Sequence, residues 1–157
     1  MVGVAGTILA LDQLTKALVR QHLALHESMS VIPGFFDIRY VQNTGAAFGI
    51  LNEADIPFKP ALMTAVALFA LIAIAIYTSR LSSEEPLAKL GLAAILGGAC
   101  GNLIDRITAG YVVDFVDVYW STWHFWAFNV ADAAITVGAG CLILDMVILN
   151  RHVSKTV

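Results

Sequence analysis

The sequence is poor in charge: only 13% of its 157 residues are Asp, Glu, Lys or Arg, whereas about a quarter are charged in a soluble domain. Hydrophobic residues make up 59% of the chain, and its mean hydropathy is +0.78. These values exclude a water-soluble domain and predict one integral membrane domain over residues 1–157. The formal net charge of −3 leaves no basic surplus of the kind that binds nucleic acid.

The motifs of metal-dependent and serine-dependent hydrolases are also missing. No H-E-x-x-H pair is present, which argues against a zinc metalloprotease. No serine stands in a G-x-S-x-G elbow. The two cysteines, Cys100 and Cys141, lie in apolar runs without metal or disulfide spacing, so we expect both to be small buried hydrophobic side chains. The sequence therefore predicts neither a metal nor another cofactor.

Four apolar runs approach the roughly 20 residues that a helix needs to cross a bilayer. They are approximately Val2–Val19, Pro60–Tyr77, Leu87–Ile104 and Val130–Leu149. Four spans place both termini on one side of the membrane. Basic residues are denser in the loop and tail on that side, which predicts that the termini are cytoplasmic. The basic residues that decide this are Arg80, Lys89, Arg151 and Lys155.

Both long loops then lie on the opposite face. Phe35–Gln42 and Gly110–Trp120 are rich in aromatic and β-branched residues, which is typical of strands. We expect these strands to pair into a small sheet, which gives a membrane all-α fold of four transmembrane helices with a small sheet at one face. Trp120, Trp123 and Trp126 precede the fourth span, where an interfacial aromatic belt is expected.

Two aspartates stand in short polar clusters at this same face. Asp114 lies in Gly110–Phe115, and Asp132 ends the cluster Phe128–Asp132. A carboxylate at the edge of a hydrocarbon layer is costly unless it is paired, hydrogen-bonded or functional. Two close carboxylates with separated pKa values form an acid and a base, which is the chemistry of aspartic peptidases. Asp145 is excluded as the partner of Asp132, because the helix between them rises by about 20 Å.

Both aspartates also have a purely structural interpretation. Asn129 and Asp132 are spaced as an N-cap and an acid in the first turn, which would stabilise the fourth helix. Asp114 and Asp117, three apart on a strand, point to opposite faces, so we expect one to face inward and the other to be solvated. Sequence spacing leaves the structural and the catalytic interpretations open.

Further polar residues lie in the first span and after the first strand. Asp12 and Lys16, spaced i, i+4, would neutralise each other, and the same pair could hold a catalytic loop in place. Asn43 and Gly45 form either a plain turn or a hydrogen-bonding edge for an extended peptide.

The end of the third span combines packing and polar signals. Gly97 and Gly101 form a G-x-x-x-G pair, which indicates close helix packing. Asn102 and Asp105 are spaced i, i+3 and share a helix face. Arg106 would be a cation at the helix C-terminus, a salt-bridge partner of Asp105, or both. Three adjacent polar residues exceed what capping requires, which favours support of a site.

Two other functions compete with hydrolysis. A small proton-coupled transporter would relay protons through its carboxylates, but the chain has no inverted repeat and its acids cluster at one face. A non-catalytic membrane assembly factor would use the glycine pair for helix packing. That function leaves the clusters around Asp114 and Asp132 unexplained.

Five motifs, in this order, resemble those of the lipoprotein signal peptidases (type II signal peptidases) of bacteria, and they extend over nearly the whole chain. They are Asp12–Lys16, Gln42–Gly49, Gly101–Arg106, Gly110–Phe115 and Phe128–Asp132. The resemblance implies an inner-membrane aspartic endopeptidase with four transmembrane helices, a small periplasmic β-sheet and a short periplasmic helix. It further implies cleavage of the signal peptide of diacylglyceryl-modified prolipoproteins, just before the lipidated cysteine.

The resemblance also implies roles for individual residues. Asp114 and Asp132 would be the catalytic pair, and Asp12 and Lys16 would support it from the first helix. The residues that would bind the substrate or orient the pair are Asn43, Gly45, Asn102, Asp105, Arg106 and Asn129. The expected partners are the diacylglyceryl-prolipoprotein, membrane lipid and inhibitors of the globomycin type. We expect a monomer in the bacterial inner membrane with its active site near the periplasmic face.

Overall fold

The computed structural model describes residues 1–46, 50–52, 54–78 and 85–149. Helices and a small sheet make up most of these residues. The helices are α1 (Val2–His22), α2 (Lys59–Thr78), α3 (Pro86–Ala109) and α4 (Val130–Leu144), and a π-helical turn, Asp145–Leu149, continues α4. The strands are β1 (Ser28–Ile32), β2 (Phe36–Asn43), β3 (Val112–Trp120) and β4 (Trp123–His124).

The four predicted spans are confirmed as helices that are long and apolar enough to cross a membrane. Two of them run further than the apolar pattern predicted: α1 ends at His22, and α3 ends at Ala109. Arg106 in the last turn of α3 favours this extension, because a cation interacts well with a helix C-terminus. Gly110 then ends the helix with φ of 80°, which is the left-handed conformation usual after a helix.

Glycines allow α3 to lie close to its neighbours α1 and α4. A Cβ on Gly97 would stand 2.7 Å from the carbonyl oxygen of Ala5 in α1. A Cβ on Gly91 would stand 2.6 Å from the carbonyl oxygen of Gly138 in α4. The close packing predicted from the glycine pair is therefore confirmed, and α3 is the central helix of the bundle. In contrast, α2 packs chiefly on α3 and buries only Met63.

The predicted strands pair as expected, in an antiparallel sheet of order β1-β2-β3-β4. In the register of β2 and β3, Val41 lies opposite Asp114 and Asn43 lies opposite Val112. The sheet is joined to α1 by a small hydrophobic core, in which Val19 of α1 packs with side chains from β2 and β3. This arrangement sets the sheet beside the ends of the helices that carry the polar clusters.

Asp117 differs from its predicted environment, and a second acidic residue, Asp145, is buried as well. Asp117 was expected to be solvated if Asp114 is buried, but both are buried, and Asp117 is only 4% exposed. The turn into β4 brings His124 Nδ1 to 2.9 Å from Asp117, which removes that carboxylate from solvent. Asp145 is 4% exposed and has no ion pair within the described ranges.

The structure also bears on the predictions made for the cysteines and the tryptophans. Cys100 and Cys141 are free and partly buried, so their expected burial is only partial. The three tryptophans are exposed, as a lipid-interface position requires. Arg80, Arg151, Lys155 and residues 47–49 of the second motif lie outside the described residues. The short additional helix and the placement of the sheet relative to the membrane stay predictions.

Candidate active site

Asp114 lies in the middle of the sheet and is held by two amide groups. The residue is 3% exposed. Asn129 Nδ2 donates to Oδ1 at 2.7 Å, and Asn43 Nδ2 donates to Oδ2 at 3.1 Å. The Asn43 Oδ1 accepts from the Gly45 amide at 2.9 Å. The side chain of Asn43 is therefore committed to the turn and to Asp114, which leaves backbone groups for any peptide edge.

Asp132 lies in the first turn of α4, and the predicted cap is confirmed. The Asp132 amide donates to Asn129 Oδ1 at 2.9 Å, and the Asn129 amide donates to Asp132 Oδ2 at 3.3 Å. This reciprocal pair is a capping box. The other carboxylate oxygen, Oδ1, accepts from Asn102 Nδ2 at 2.8 Å. Asp132 is thus part of the helix cap and part of a polar cluster at the same time.

Asn129 links the two aspartates. Its side-chain oxygen caps the helix that carries Asp132, while its side-chain nitrogen donates to Asp114. The same nitrogen lies 3.2 Å from Asn102 Oδ1 and from the Val113 carbonyl oxygen. Asn129 is fully buried, and these contacts use both ends of its amide. The helix cap and the candidate site, which the sequence left as alternatives, therefore share Asn129.

Lys16 is a fully buried cation beneath this cluster. Its Nζ lies 2.8 Å from Asp12 Oδ2 and 3.0 Å from Asp105 Oδ2, so the predicted i, i+4 pair is confirmed and extended to α3. Nζ also donates to Asn102 Oδ1 at 2.8 Å. Because an ammonium group only donates hydrogen bonds, it turns the oxygen of the Asn102 amide toward itself. The nitrogen of that amide then faces Asp132.

Asp12 and Asp105 hold the backbone beside each aspartate of the pair. Asp12 Oδ1 accepts from the amide of Ala131 at 2.9 Å. Asp105 Oδ2 accepts from the amide of Val113 at 3.2 Å. These two backbone positions directly precede Asp132 and Asp114 in the sequence. The proposal that the first helix holds site segments in place therefore has a direct structural basis.

Arg106 differs from one of its predicted roles. Its guanidinium donates to the Gly45 carbonyl oxygen at 3.2 Å and to the Asn102 carbonyl oxygen at 3.4 Å. Across the described part of the chain it forms no ion pair with Asp105, whose carboxylate instead pairs with Lys16 and with Arg20 Nη2 at 2.7 Å. Arg106 lies within electrostatic reach of both Asp114 and Asp132.

Burial and charge set the protonation of Asp114. Burial removes water from its carboxylate, and the negative charge of Asp132 adds to this effect. Together they raise the pKa of Asp114 to about 7, against the opposing hydrogen bonds from Asn43 and Asn129 and the positive charge of Lys16. A carboxyl group with such a pKa is suited to exchange a proton near neutral pH.

Two residues of the cluster were missed by sequence reasoning. Arg20 stands one turn beyond Lys16 on α1, so the i, i+4 series of Asp12, Lys16 and Arg20 was a signal that could have found it. Gln13 Nε2 donates to the Gly101 carbonyl oxygen at 3.1 Å and lies 3.4 Å from Asp105 Oδ1. No spacing rule indicated Gln13, because its contacts are with α3.

The geometry supports acid–base chemistry by two carboxylates. Asp114 and Asp132 each keep at least one amide donor, and they share Asn129. The described residues contain no cluster of three side chains that would ligate a metal. Such a pair can hold one proton between an acid and a base, which activates a water molecule and protonates a leaving group.

Comparison with known proteins gives consistent results. Residues 4–148 match the family model described as Peptidase_A8, Signal peptidase (SPase) II. A lipoprotein signal peptidase from Geobacter metallireducens is 47% identical over 97% of this chain and 93% of its own length. One from Syntrophus aciditrophicus is 46% identical over 91% of this chain and 89% of its own length. A bacterial membrane enzyme solved by the in meso method at 2.3 Å resolution superposes with a TM-score of 0.83 at 29% identity, covering 98% of this chain and 89% of the other.

Proposed function

The chain belongs to the signal peptidase II family, and from this premise we propose that Asp114 and Asp132 are its catalytic pair. It is a multi-pass membrane protein and an aspartic peptidase that removes signal peptides from prolipoproteins. The alternative of a proton-coupled transporter has no support in these relatives. The family establishes the reaction, and the assignment of the residues rests on the geometry of the site.

The observation that carries this assignment is the double role of Asn129. One amide group caps the helix of Asp132 and donates to Asp114 at 2.7 Å, so it fixes both carboxylates relative to each other. Fixed donors and acceptors around the reacting groups lower the cost of reorganisation during catalysis. The pair therefore meets the requirement that acid and base be positioned before the substrate arrives.

In the proposed mechanism, the pair shares one proton near neutral pH. The ionised carboxylate takes a proton from water, and the resulting hydroxide attacks the carbonyl carbon of the scissile bond. The protonated carboxyl group polarises the carbonyl oxygen and then supplies the proton for the leaving amine. The raised pKa of Asp114, at about 7, makes one shared proton the expected state of the pair in this pH range.

Gly45, Asn43 and Arg106 form the wall of the site on the β2 side. Arg106 holds the Gly45 carbonyl oxygen at 3.2 Å, and a Cβ on Gly45 would stand 2.7 Å from the Asn52 amide nitrogen. We infer that Asn43 orients Asp114, while backbone groups of this turn pair with the extended chain around the cleavage point. The lipid-modified cysteine would present that chain at the bilayer surface.

The substrate is proposed to be the diacylglyceryl-modified prolipoprotein, cut just before its lipidated cysteine. For this substrate, we propose that the site lies at the periplasmic face and that both termini lie in the cytoplasm of the bacterium. The uncharged outer faces of the helices support contact with membrane lipid and with the apolar part of the signal peptide. Monomeric action and inhibition by peptides of the globomycin type belong to the same proposal.

The decisive test replaces each aspartate by its uncharged isostere. Asp114→Asn and Asp132→Asn should each lower the rate of cleavage of a diacylglyceryl-prolipoprotein by at least about 1,000-fold. Asp55→Asn is the matched control, because Asp55 is an exposed aspartate of the loop before α2 and should keep the full rate. Melting temperatures in detergent show whether the variants remain folded.

Two results would contradict the proposal. Cleavage at the wild-type rate by either folded variant of the pair would show that this residue is not catalytic. Equal turnover of lipidated and unmodified prolipoprotein would show that the diacylglyceryl group isn't recognised.

A further inference from the structure

A lysine outside the proposed catalytic cluster binds the loop that follows β2. Lys59 is the first residue of α2, and its Nζ donates to three backbone carbonyl oxygens: those of Asn52 at 2.8 Å, Ala54 at 2.9 Å and Leu51 at 3.3 Å. An ammonium group has three N–H donors, so these contacts use all of them. The helix dipole disfavours a cation at this end of a helix. The position of Lys59 is therefore explained by the loop and not by the stability of α2.

The loop residue held most closely, Asn52, holds Thr44 in turn. Asn52 Oδ1 accepts from the Thr44 amide at 2.8 Å and from Thr44 Oγ1 at 3.0 Å. The Asn52 carbonyl oxygen lies 3.2 Å from the same hydroxyl group. Thr44 directly follows Asn43, the residue that donates to Asp114 at 3.1 Å. A continuous series of contacts therefore runs from α2 to the carboxylate.

Backbone strain beside both residues supports this interpretation. Leu51, next to Asn52, has φ of 66°, and Phe58, next to Lys59, has φ of 58°. Residues other than glycine rarely adopt this conformation, and it persists where surrounding contacts hold it in place. Lys59 contributes directly to these contacts, since its Nζ donates to the Leu51 carbonyl oxygen at 3.3 Å.

We propose that Lys59 and Asn52 are positioning residues for the cleavage reaction. Lys59 fixes the backbone of Asn52, Asn52 fixes Thr44, and the amide of Asn43 is thereby held against Asp114. The inference rests on the proposed function, because it takes Asp114 as catalytic. Within the described residues, neither Lys59 nor Asn52 touches an aspartate of the pair, so their effect passes through Asn43.

The first test removes single contacts of this series. Asn52→Leu and Lys59→Met should each lower kcat for a diacylglyceryl-prolipoprotein about 10-fold, because small displacements of a positioned group reduce the rate. Neither side chain is proposed to touch the substrate itself, so KM should change less than kcat. Asn52→Asp keeps an oxygen that accepts from Thr44, and it should restore kcat to within about threefold of the wild type.

The matched control is a pair of isosteric threonine variants. Thr44→Val removes the hydroxyl that meets Asn52, whereas Thr64→Val removes a hydroxyl that bonds only within α2, to the Pro60 carbonyl oxygen. Thr44→Val should lower kcat and Thr64→Val should not. If Lys59→Met does not fold, as judged by its melting temperature, the comparison of Asn52→Leu with Asn52→Asp gives the answer.

A double-mutant cycle with Asn43→Ala identifies the route of the effect. If Asn52 acts through Asn43, then Asn52→Leu should lower kcat little or no further in the Asn43→Ala background. Equal effects in both backgrounds would overturn the inference, as would wild-type kcat in both Asn52→Leu and Lys59→Met. These results leave the proposed function intact, whereas that function fails separately if Asp114→Asn cleaves at the wild-type rate.

Discussion

Asn129 stabilises a helix and orients a reactive carboxylate with a single side chain. Its oxygen accepts from the amide of Asp132, while its nitrogen donates to Asp114. Capping needs only an acceptor at this position, and serine provides one as well as asparagine does. The donor to Asp114 requires the longer amide. The two roles can therefore be separated by substitution.

We expect Asn129→Ser to keep the cap and lose the contact with Asp114. Its melting temperature should fall, because buried acceptors of the amide nitrogen lose their donor, and its cleavage rate should fall as well. Asn129→Ala loses both, and it should be less stable by about 1 kcal/mol in addition. Thermal unfolding and initial cleavage rates, measured on the same preparations, distinguish the two variants. Equal stability of the serine and alanine variants would show that the cap contributes nothing.

The proton of Asp114 gives the fold a predictable dependence on pH. Its pKa is raised to about 7, mainly by burial, whereas the carboxyl group of an unfolded chain has a pKa of about 4. Between these values the folded protein binds more protons than the unfolded chain. The contribution of Asp114 to stability is therefore most favourable at the acid end, and it falls as pH rises from about 4 to about 7.

Asp114→Asn removes this titration. The melting temperature of the variant, taken relative to the wild type, should rise steadily as pH increases from about 4.5 to about 7.5. Scanning fluorimetry in detergent at a series of pH values measures the difference directly. A difference that does not change with pH would contradict the raised pKa.

The helices meet through small residues, so their contacts are sensitive to added volume. Gly91 of α3 and Gly138 of α4 face each other, and a Cβ on Gly91 would stand 2.6 Å from the Gly138 carbonyl oxygen. Gly140, two residues further along α4, has nothing within 4 Å of an added Cβ. Gly138 and Gly140 of the same helix therefore differ in whether there is room for a larger side chain.

Gly91→Leu should separate α3 from α4 and lower the free energy of unfolding by about 1–3 kcal/mol or more. Gly140→Leu, which adds the same side chain at an open position, should leave stability unchanged. Unfolding in mixed micelles measures both. If the two variants were equally stable, the close approach of the helices would be wrong.

The elements were predictable where their own residues determine them. In a bilayer, each long apolar run forms a helix, because its backbone N–H and C=O groups then hydrogen-bond to each other. The ends were less predictable, because the last turns of α3 depend on Arg106 and Gly110 and not on hydropathy. All five residues of β1 are exposed and β4 has two residues, so neither has a burial pattern of its own, and both form by pairing with a neighbour.

The site was predictable in its members but not in its contacts. Costly polar residues in an apolar sequence identified the aspartates and asparagines. Their partners are far apart in the chain: Asp12 meets the amide of Ala131, and Asn102 meets Asp132. The preference of Asp105 for Arg20 over its neighbour Arg106 also depends on how α1 and α3 pack. Spacing rules describe one helix at a time, so they do not reach such contacts.

At the scale of the whole molecule, the buried ammonium group of Lys16 links helices of the bundle. Lys16 neutralises Asp12 on α1 and Asp105 on α3, and it bonds to Asn102, which contacts Asp132 on α4. Removing one partner of a buried ion pair leaves uncompensated charge, which costs about 3–5 kcal/mol. Lys16→Met should therefore destabilise the protein by this amount and lower the cleavage rate.

Arg20→Met provides the comparison for Lys16→Met. Arg20 also pairs with Asp105, but its side chain is 35% exposed, and Asp105 keeps Lys16 when Arg20 is removed. The loss of stability should be clearly smaller. Chemical unfolding of both variants in the same micelles measures the difference, and equal losses would contradict the central role of Lys16.

Because α2 has sparse protein contacts, we expect cleavage to depend on bilayer thickness. Its 20 residues give a length of about 30 Å, which matches a hydrocarbon core of about 30 Å. Most residues of this helix are exposed, so we expect a thicker or thinner bilayer to act on its tilt more than on the packed helices. Tilt of α2 moves Lys59 and the loop it holds. Cleavage in vesicles of graded acyl-chain length should therefore be fastest at matched thickness, and the lipid composition of the membrane becomes a regulator of lipoprotein maturation.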